Sequence, residues 1–297
     1  VVDAGTDKLT NVAIAQDATA SDALSGIASY LWTNGATTED TTLSAVSDGA
    51  YTIQLSVTDQ AGNIGSDTMV LTWDTTPPNA PVVTVTNPIN IANQTTVTVT
   101  VTGEANTDAN YTISDGVNNI VGLTTNPTGS FTLNNIDLSS FNDGPVTLTV
   151  TLTDSLGNTG LAGTANSTKD TVAPTASIVT PVTTPTNDNT PNIVINVENG
   201  ATFVINTNSG VGTGANQTVT LNTLTDGMYN FNLVATDAAG NTTTGTIPVF
   251  TVDTVTPTLV SQTVFTGWYN TSQTSVFTYT DGLSTSCLIA TEGANQT

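Results

Sequence analysis

The stretch from Asp48 to Asn63 returns as Asp143 to Asn158 and again as Asp226 to Asn241, with the same internal spacing each time. Each copy starts on Asp-Gly, alternates apolar with Thr, Asn, Gln or Ser, and closes on Thr-Asp-x-x-Gly-Asn. An alternation of period two bounded by turn residues is a half-buried strand with a turn at each end. The pattern predicts that Tyr51, Ile53, Leu55 and Val57 face a core, as do Val146, Leu148, Val150 and Leu152, and Tyr229, Phe231, Leu233 and Ala235. Three copies imply three similar folding units.

Each copy is followed by a further strand and then by Asp74-Thr75-Thr76-Pro77-Pro78, Asp170-Thr171-Val172-Ala173-Pro174 or Asp253-Thr254-Val255-Thr256-Pro257. Proline donates nothing to a ladder and fixes its own φ, so these segments end one sheet and form short, semi-rigid links. The expected units are therefore 1–74, 75–170, 171–253 and 254–297. Further alternating runs, among them Val97 to Thr102 and Asn192 to Val197, are short strands at turn-punctuated intervals, and no segment has a helical period. The expected class is all-β: antiparallel sandwiches in an elongated tandem array. The last unit holds only about half a sandwich, too little to bury a stable core alone. It predicts a chain that is part of a longer one, or one completed by a second molecule.

The formal charge of −22 comes from 24 acidic residues against two basic ones, with no histidine. Nucleic acid is excluded as a partner, because Lys8 and Lys169 cannot neutralise a run of phosphates, and anionic membrane surfaces are excluded for the same reason. Catalysis is not expected: an ordinary general base near neutral pH and a cationic clamp are both missing. The apolar fraction of 37% and the regular alternation argue against disorder. No stretch is long enough to cross a membrane, the opening at Val1 reads as mature sequence, and the single Cys287 has no internal disulfide partner.

The first unit resembles the PKD family of β-sandwiches through its Ala4-Gly5-Thr6-Asp7 start, its Ser29-Tyr30-Leu31-Trp32 strand and its Tyr51-to-Asp59 strand. That resemblance implies a core position for Trp32. In the third unit, Thr186-Asn187-Asp188-Asn189-Thr190-Pro191 followed by Glu198-Asn199-Gly200-Ala201-Thr202 resembles the bacterial Ig-like repeats found in tandem in large surface adhesins. Tyr51 and Tyr229 resemble the tyrosine corner of Ig-like folds, whose hydroxyl bonds back across the preceding turn; Val146 departs from it. These resemblances imply a structural module array of a secreted or cell-surface prokaryotic protein, such as an adhesin stalk, filament or surface-layer subunit. Its partners would be other copies of itself or neighbouring surface proteins, with β-strand addition at 254–297 as one route. The alternative is an accessory region of a secreted polysaccharide-degrading enzyme or protease.

Calcium is the one candidate cofactor, because hard oxygen ligands recur at the expected junctions. The pairs are Asp59 with Asp74, Asp154 with Asp170 and Asp237 with Asp253, and then Asn187, Asp188 and Asn189. The competing reading is that these aspartates cap turns through their own hydrogen bonds. Sequons stand at Asn93, Asn110, Asn166, Asn216, Asn241, Asn270 and Asn295, no more than a chain this rich in Asn, Ser and Thr gives by chance. Lys8, beside an opening turn, and Lys169, beside Asp170, are expected in solvent rather than in the lysine–asparagine crosslinks of some bacterial surface sandwiches. Trp73 and Trp268 are expected in packing more than as glycan platforms.

Overall fold

A computed structural model of the chain describes residues 1–126, 128–264, 266 and 277–280. Among them every regular element is a strand, and no helix is long and apolar enough to cross a membrane. The chain divides into two compact units. One comprises Val1–Ile89 with Asn93–Lys169, the other Asn90–Ala92 with Asp170–Thr297.

The first unit contains two sandwiches. In the first, strands Lys8–Thr10, Ile64–Trp73, Gly49–Asp59 and Ile27–Trp32 lie in that order in one sheet, with Lys8–Thr10 parallel to its neighbour. Trp32, Leu43, Leu55, Met69 and Leu71 belong to the core it covers. In the second, a sheet of order Asn119–Asn126, Thr107–Ser114, Gly144–Thr153, Gly163–Lys169 faces a sheet of order Ser130–Ile136, Val97–Thr102, Val82–Val85. Val97, Ile113, Leu138, Leu148 and Leu152 are fully buried between them. The second unit builds a third sandwich from Asn208–Val211, Thr202–Ile205, Asn232–Thr236 and Thr242–Thr246 on one side and Ala176–Thr180, Asn192–Val197 and Asn216–Thr220 on the other. Ile193, Phe203, Leu233 and Phe250 anchor that core.

The repeated block is a strand in every copy, and its apolar set faces inward. Leu55, Leu148, Val150, Leu152, Leu233 and Ala235 are completely buried, while Tyr51, Tyr229 and Phe231 pack as partly buried members. Trp32 has the core place implied for it, 1% exposed. One copy departs from a single strand. Gly49–Asp59 pairs without a break against Ile64–Trp73, whereas the third copy splits into Gly227–Tyr229 and Asn232–Thr236. Tyr229 pairs with Phe250 and Asn232 with Thr246, so Pro248, which has no N–H to give, falls opposite the gap and the partner strand bulges past it.

Beyond Asp253, strand Thr258–Gln262 pairs with Phe277–Thr280. Trp268, Cys287, Asn270 and Asn295, and with them most of the unit expected at 254–297, lie outside the described residues.

Candidate functional site

The feature that repeats with the same bonding is the turn closing each block. Asp59 accepts a backbone bond from Gly62 at 3.1 Å, Asp154 from Gly157 at 3.2 Å and Asp237 from Gly240 at 3.2 Å. The glycines have φ of 90°, 89° and 88°, the left-handed region that side chains resist, which explains why the motif carries glycine there. The following asparagine then closes the loop on the aspartate. Asn63, Asn158 and Asn241 each donate their backbone N–H to Oδ1 and their amide to Oδ2 of that aspartate, all at 2.8 to 3.0 Å.

In the first unit this turn also grips the link between the two sandwiches. The Asn158 side chain donates to the carbonyl of linker residue Asp74 at 3.0 Å and accepts from Asn11 Nδ2 at 3.0 Å, while Asn11 donates in addition to the Leu156 carbonyl at 2.8 Å. The same set is built inside the second unit. Asn241 donates to the Asp170 carbonyl at 2.9 Å and accepts from the Ile91 N–H at 3.0 Å, and Asn90 donates to the Ala239 carbonyl at 2.7 Å. Leu156 and Ala239 hold the same place in the turn, two residues before the asparagine. One asparagine amide thus ties its own turn, the incoming linker and an earlier loop together.

The other end of the block holds the linker that leaves. Asp48 Oδ1 accepts the N–H of Thr75 at 2.7 Å and its hydroxyl at 2.8 Å, and Oδ2 takes the Thr76 hydroxyl. Asp226 does the same for Thr254, at 2.9 and 2.8 Å. The linkers that start at Asp74 and Asp253 are therefore bonded through their threonines to the module they leave, and Asp74 is bonded through its carbonyl to the module it enters.

The tyrosine corners form. Tyr51 donates its hydroxyl to the Ser47 carbonyl at 2.7 Å and Tyr229 to the Thr225 carbonyl at 2.6 Å. Where Val146 stands instead, no hydroxyl is present, and Lys169 bonds a neighbouring carbonyl, one residue before the one a tyrosine corner would use. Its ammonium donates to the Phe141 carbonyl at 2.6 Å and lies 3.6 Å from Asp143 Oδ1. The expectation of a solvated Lys169 is thus overturned: the side chain is 3% exposed. The strand alternation carries it inward after Gly163 and Ser167, into the register that Trp73 and Val252 occupy in the other sandwiches. Trp73 is likewise buried, at 8% exposure. Tyr51→Phe should lower the stability of the first sandwich by about 1 kcal/mol, and Lys169→Met that of the second by about 1–3 kcal/mol through the orphaned carbonyl, read by chemical denaturation of each variant.

The carboxylate pairs expected to share calcium do not meet. Asp59 and Asp74 mark opposite ends of a ladder that runs from Gly49↔Trp73 to Thr58↔Ile64, roughly 30 Å of strand. Asp154 and Asp170, and Asp237 and Asp253, are separated by their hairpins in the same way. An antiparallel return brings each linker aspartate to the far end; it is the next block's turn that meets Asp74. One oxygen of each is engaged in its own turn: Oδ1 of Asp74, Asp170 and Asp253 accepts the N–H two residues on, and Oδ1 of Asp188 accepts the N–H and hydroxyl of Thr190. Asn187 is exposed, and the Asn189 carbonyl accepts the Leu224 N–H. Among the described residues no three acidic, histidine or cysteine side chains gather closely enough to hold a metal ion. Asn241, a sequon position, is 1% exposed and closed to a glycan.

The bonds at Asp48, Asp59 and Asp154 favour the ionised carboxylate. Hydrogen bonds from the Asn63 side chain and backbone hold Asp59 below the usual carboxylate range, and those from Thr76 and Thr75 do the same for Asp48. Burial pushes Asp154 up, but the bonds from Asn158, Leu156 and Gly157 outweigh it and leave this group low too. A carboxyl depressed in the folded state stabilises the fold above its unfolded value, and that stability disappears as pH falls through the folded value. Melting temperature should therefore stay level from pH 7 to about 5 and drop below about 4. The drop should persist in high salt, where the mutual repulsion of the acidic surface is screened.

Three sandwiches, two of them with a tyrosine corner, and clasped Asp-Thr linkers define a tandem array of Ig-like domains. The model of the bacterial Ig-like domain family matches residues 5–75 and 166–254, more than half of the chain, and the chain belongs to that family. The first of those segments is the unit that resembles the PKD pattern by its tryptophan strand. No curated protein sequence matches the chain. Among solved structures, a tetra-tandem repeat from the extending region of a large adhesion protein is 21% identical, covering 90% of this chain and 76% of its own, at a TM-score of 0.32. A structure from a 1.5-MDa bacterial ice-binding adhesin is 19% identical, covering 81% and 90%, at 0.41. Fibronectin(III)-like modules of Clostridium thermocellum CbhA are 12% identical, covering 58% and 94%, at 0.36.

Proposed function

We propose that this chain is a stretch of stalk in a bacterial cell-surface protein, holding a more distal part of the molecule at a set distance and direction from the cell. The observation that carries this reading is where the repeated chemistry lies. The bonding that recurs is at the ends of the modules, on linkers and turns, and it fixes backbone to backbone. A surface coated with Thr and Asn and carrying a charge of −22 stays soluble and resists casual adhesion between neighbours. Stiffness comes from asparagine hydrogen bonds of the kind that cross the link at Asp74, and calcium is not needed for it because the turn carboxylates already bind N–H groups. No step of the proposed role is catalytic.

The test is to label intact cells producing the parent protein with antibodies against these modules and against the parts on either side. The stalk reading expects surface labelling of these modules, with the distal part lost from reach when they are deleted. Release of the parent protein into the medium as a soluble enzyme would favour the accessory-region alternative and overturn the stalk.

A further inference from the structure

The turn Asp59–Asn63 has the geometry of the two clasps already described, yet its asparagine faces outward. Asn158 is half-buried and Asn241 is 1% exposed, each closed over a linker carbonyl, whereas Asn63 is exposed. Beside it lies a groove of about 180 Å³ lined by Val1, Val2, Asp59, Asn63 and Ile64 among others, with Ile64 72% exposed. We propose that this turn is a docking face for another Ig-like module of the same build, placed ahead of Val1. Such a module would lay an Asp-Thr linker across Asn63 and set an asparagine of its own on the Ala61 carbonyl.

The register of the linker follows from the glycines. Gly160, two residues after Asn158, lies against the Pro78 carbonyl, and Gly65, two residues after Asn63, lies against the Val2 side chain. We take Val2 as the counterpart of Pro78, since each is the residue met by the glycine at that place in the returning strand. The carbonyl gripped by Asn158 belongs to Asp74, four residues before Pro78, so the carbonyl for Asn63 belongs four residues before Val2.

The partner's asparagine is identified by a second register. Thr10, Ile89 and Thr186 each form a parallel bridge to the residue just before the linker aspartate, namely Trp73, Lys169 and Val252. The residue that follows is Asn11, Asn90 and Asn187 in turn. The first two reach the carbonyl two residues before a clasp asparagine. Asn187 is exposed at the equivalent place. The chain therefore carries, at Asn187 and Asp253-Thr254, the same kind of end that the Asp59–Asn63 turn would receive. This assigns Asn187 to gripping a following module rather than to the calcium set in which its sequence first placed it.

The inference rests on reading the chain as part of a module array, and the experiment separates the two. Residues 171–255 are duplicated ahead of Val1 in the full chain, which puts the copied Asp253 four residues before Val2. With Cys287 replaced by serine, spin labels on the copied Val211 and on Val46, both exposed, report the distance distribution between the added module and the first sandwich. A single narrow distance is expected. Asn63→Ala should lower the ratio of docked to undocked molecules about tenfold, the loss of two or so hydrogen bonds. Asn187→Ala in the copy alone should act in the same direction while leaving the Asp59 turn intact. A distribution equally broad with and without these substitutions, or equally narrow, overturns the docking face and leaves surface display standing. A parent protein absent from the cell surface removes the stalk role and leaves the docking result as measured.

Discussion

Trp32→Ala is expected to cost the first sandwich ~3–5 kcal/mol, the range for deleting a buried aromatic side chain. Its indole is 1% exposed in a core with Leu43, Leu55, Met69 and Leu71, and its Nε1 donates to the carbonyls of Thr38 and Glu39 at 3.0 and 3.1 Å. Truncation leaves a cavity and two carbonyls short of a donor. A domain of this size is typically stable by only about 5–15 kcal/mol, so the variant should show a separate, early unfolding transition for this sandwich in calorimetry. Trp32→Phe refills most of the volume but not the donor, and should sit between. A variant that melts with the wild-type profile would remove Trp32 from the centre of this core.

Asn241→Ala is the second large effect, about 2–4 kcal/mol, because an amide that is 1% exposed is removed together with several partly buried bonds. The Asp170 carbonyl and the Ile91 N–H lose their bonds, and Asp237 loses the amide that closes its turn. The same substitution at half-buried Asn158 should cost less, and at exposed Asn63 least, since water replaces what is lost there. An order of Asn241, Asn158, Asn63 in denaturation experiments follows from burial; equal costs at the three sites would mean that only the turn, and not the clasp, matters.

The repeated block made the core strand of each sandwich readable, because period-two alternation is a local property and survives any arrangement of neighbours. The tyrosine corners were readable through family resemblance. The clasps were not, for two reasons. Asn11 and Asn90 are single asparagines in loops, at varying distances before the blocks whose turns they reach, so no spacing signals them. A possible signal is an asparagine directly after the strand that bridges to the linker, seen three times as Thr10-Asn11, Ile89-Asn90 and Thr186-Asn187. The calcium pairs failed on topology: a hairpin returns the chain to the opposite end, so the aspartates that enclose one hairpin are far apart. The sense in which the block is the centre of this chain changes accordingly. Its strand holds each module together, Asp48 and Asp226 hold linkers that leave, and Asn158 and Asn241 hold linkers that arrive.

Lys169 shows a different limit. Its place beside the linker Asp170 suggested a solvated side chain, while the strand register through Gly163 and Ser167 carries it inward. The register prevailed because the ammonium finds partners where it is buried, the Phe141 carbonyl and the Asp143 carboxylate.

The claim that amide clasps fix one module on the next is tested most directly across the link in the first unit. Spin labels at Val46 and Val117, which are 104% and 76% exposed, report the distance between the two sandwiches in a chain with Cys287 replaced by serine. One narrow distance, unchanged by calcium or by chelator and broadened by Asn158→Ala or Asn11→Ala, is the predicted result. A broad distribution that narrows only when calcium is added would contradict it.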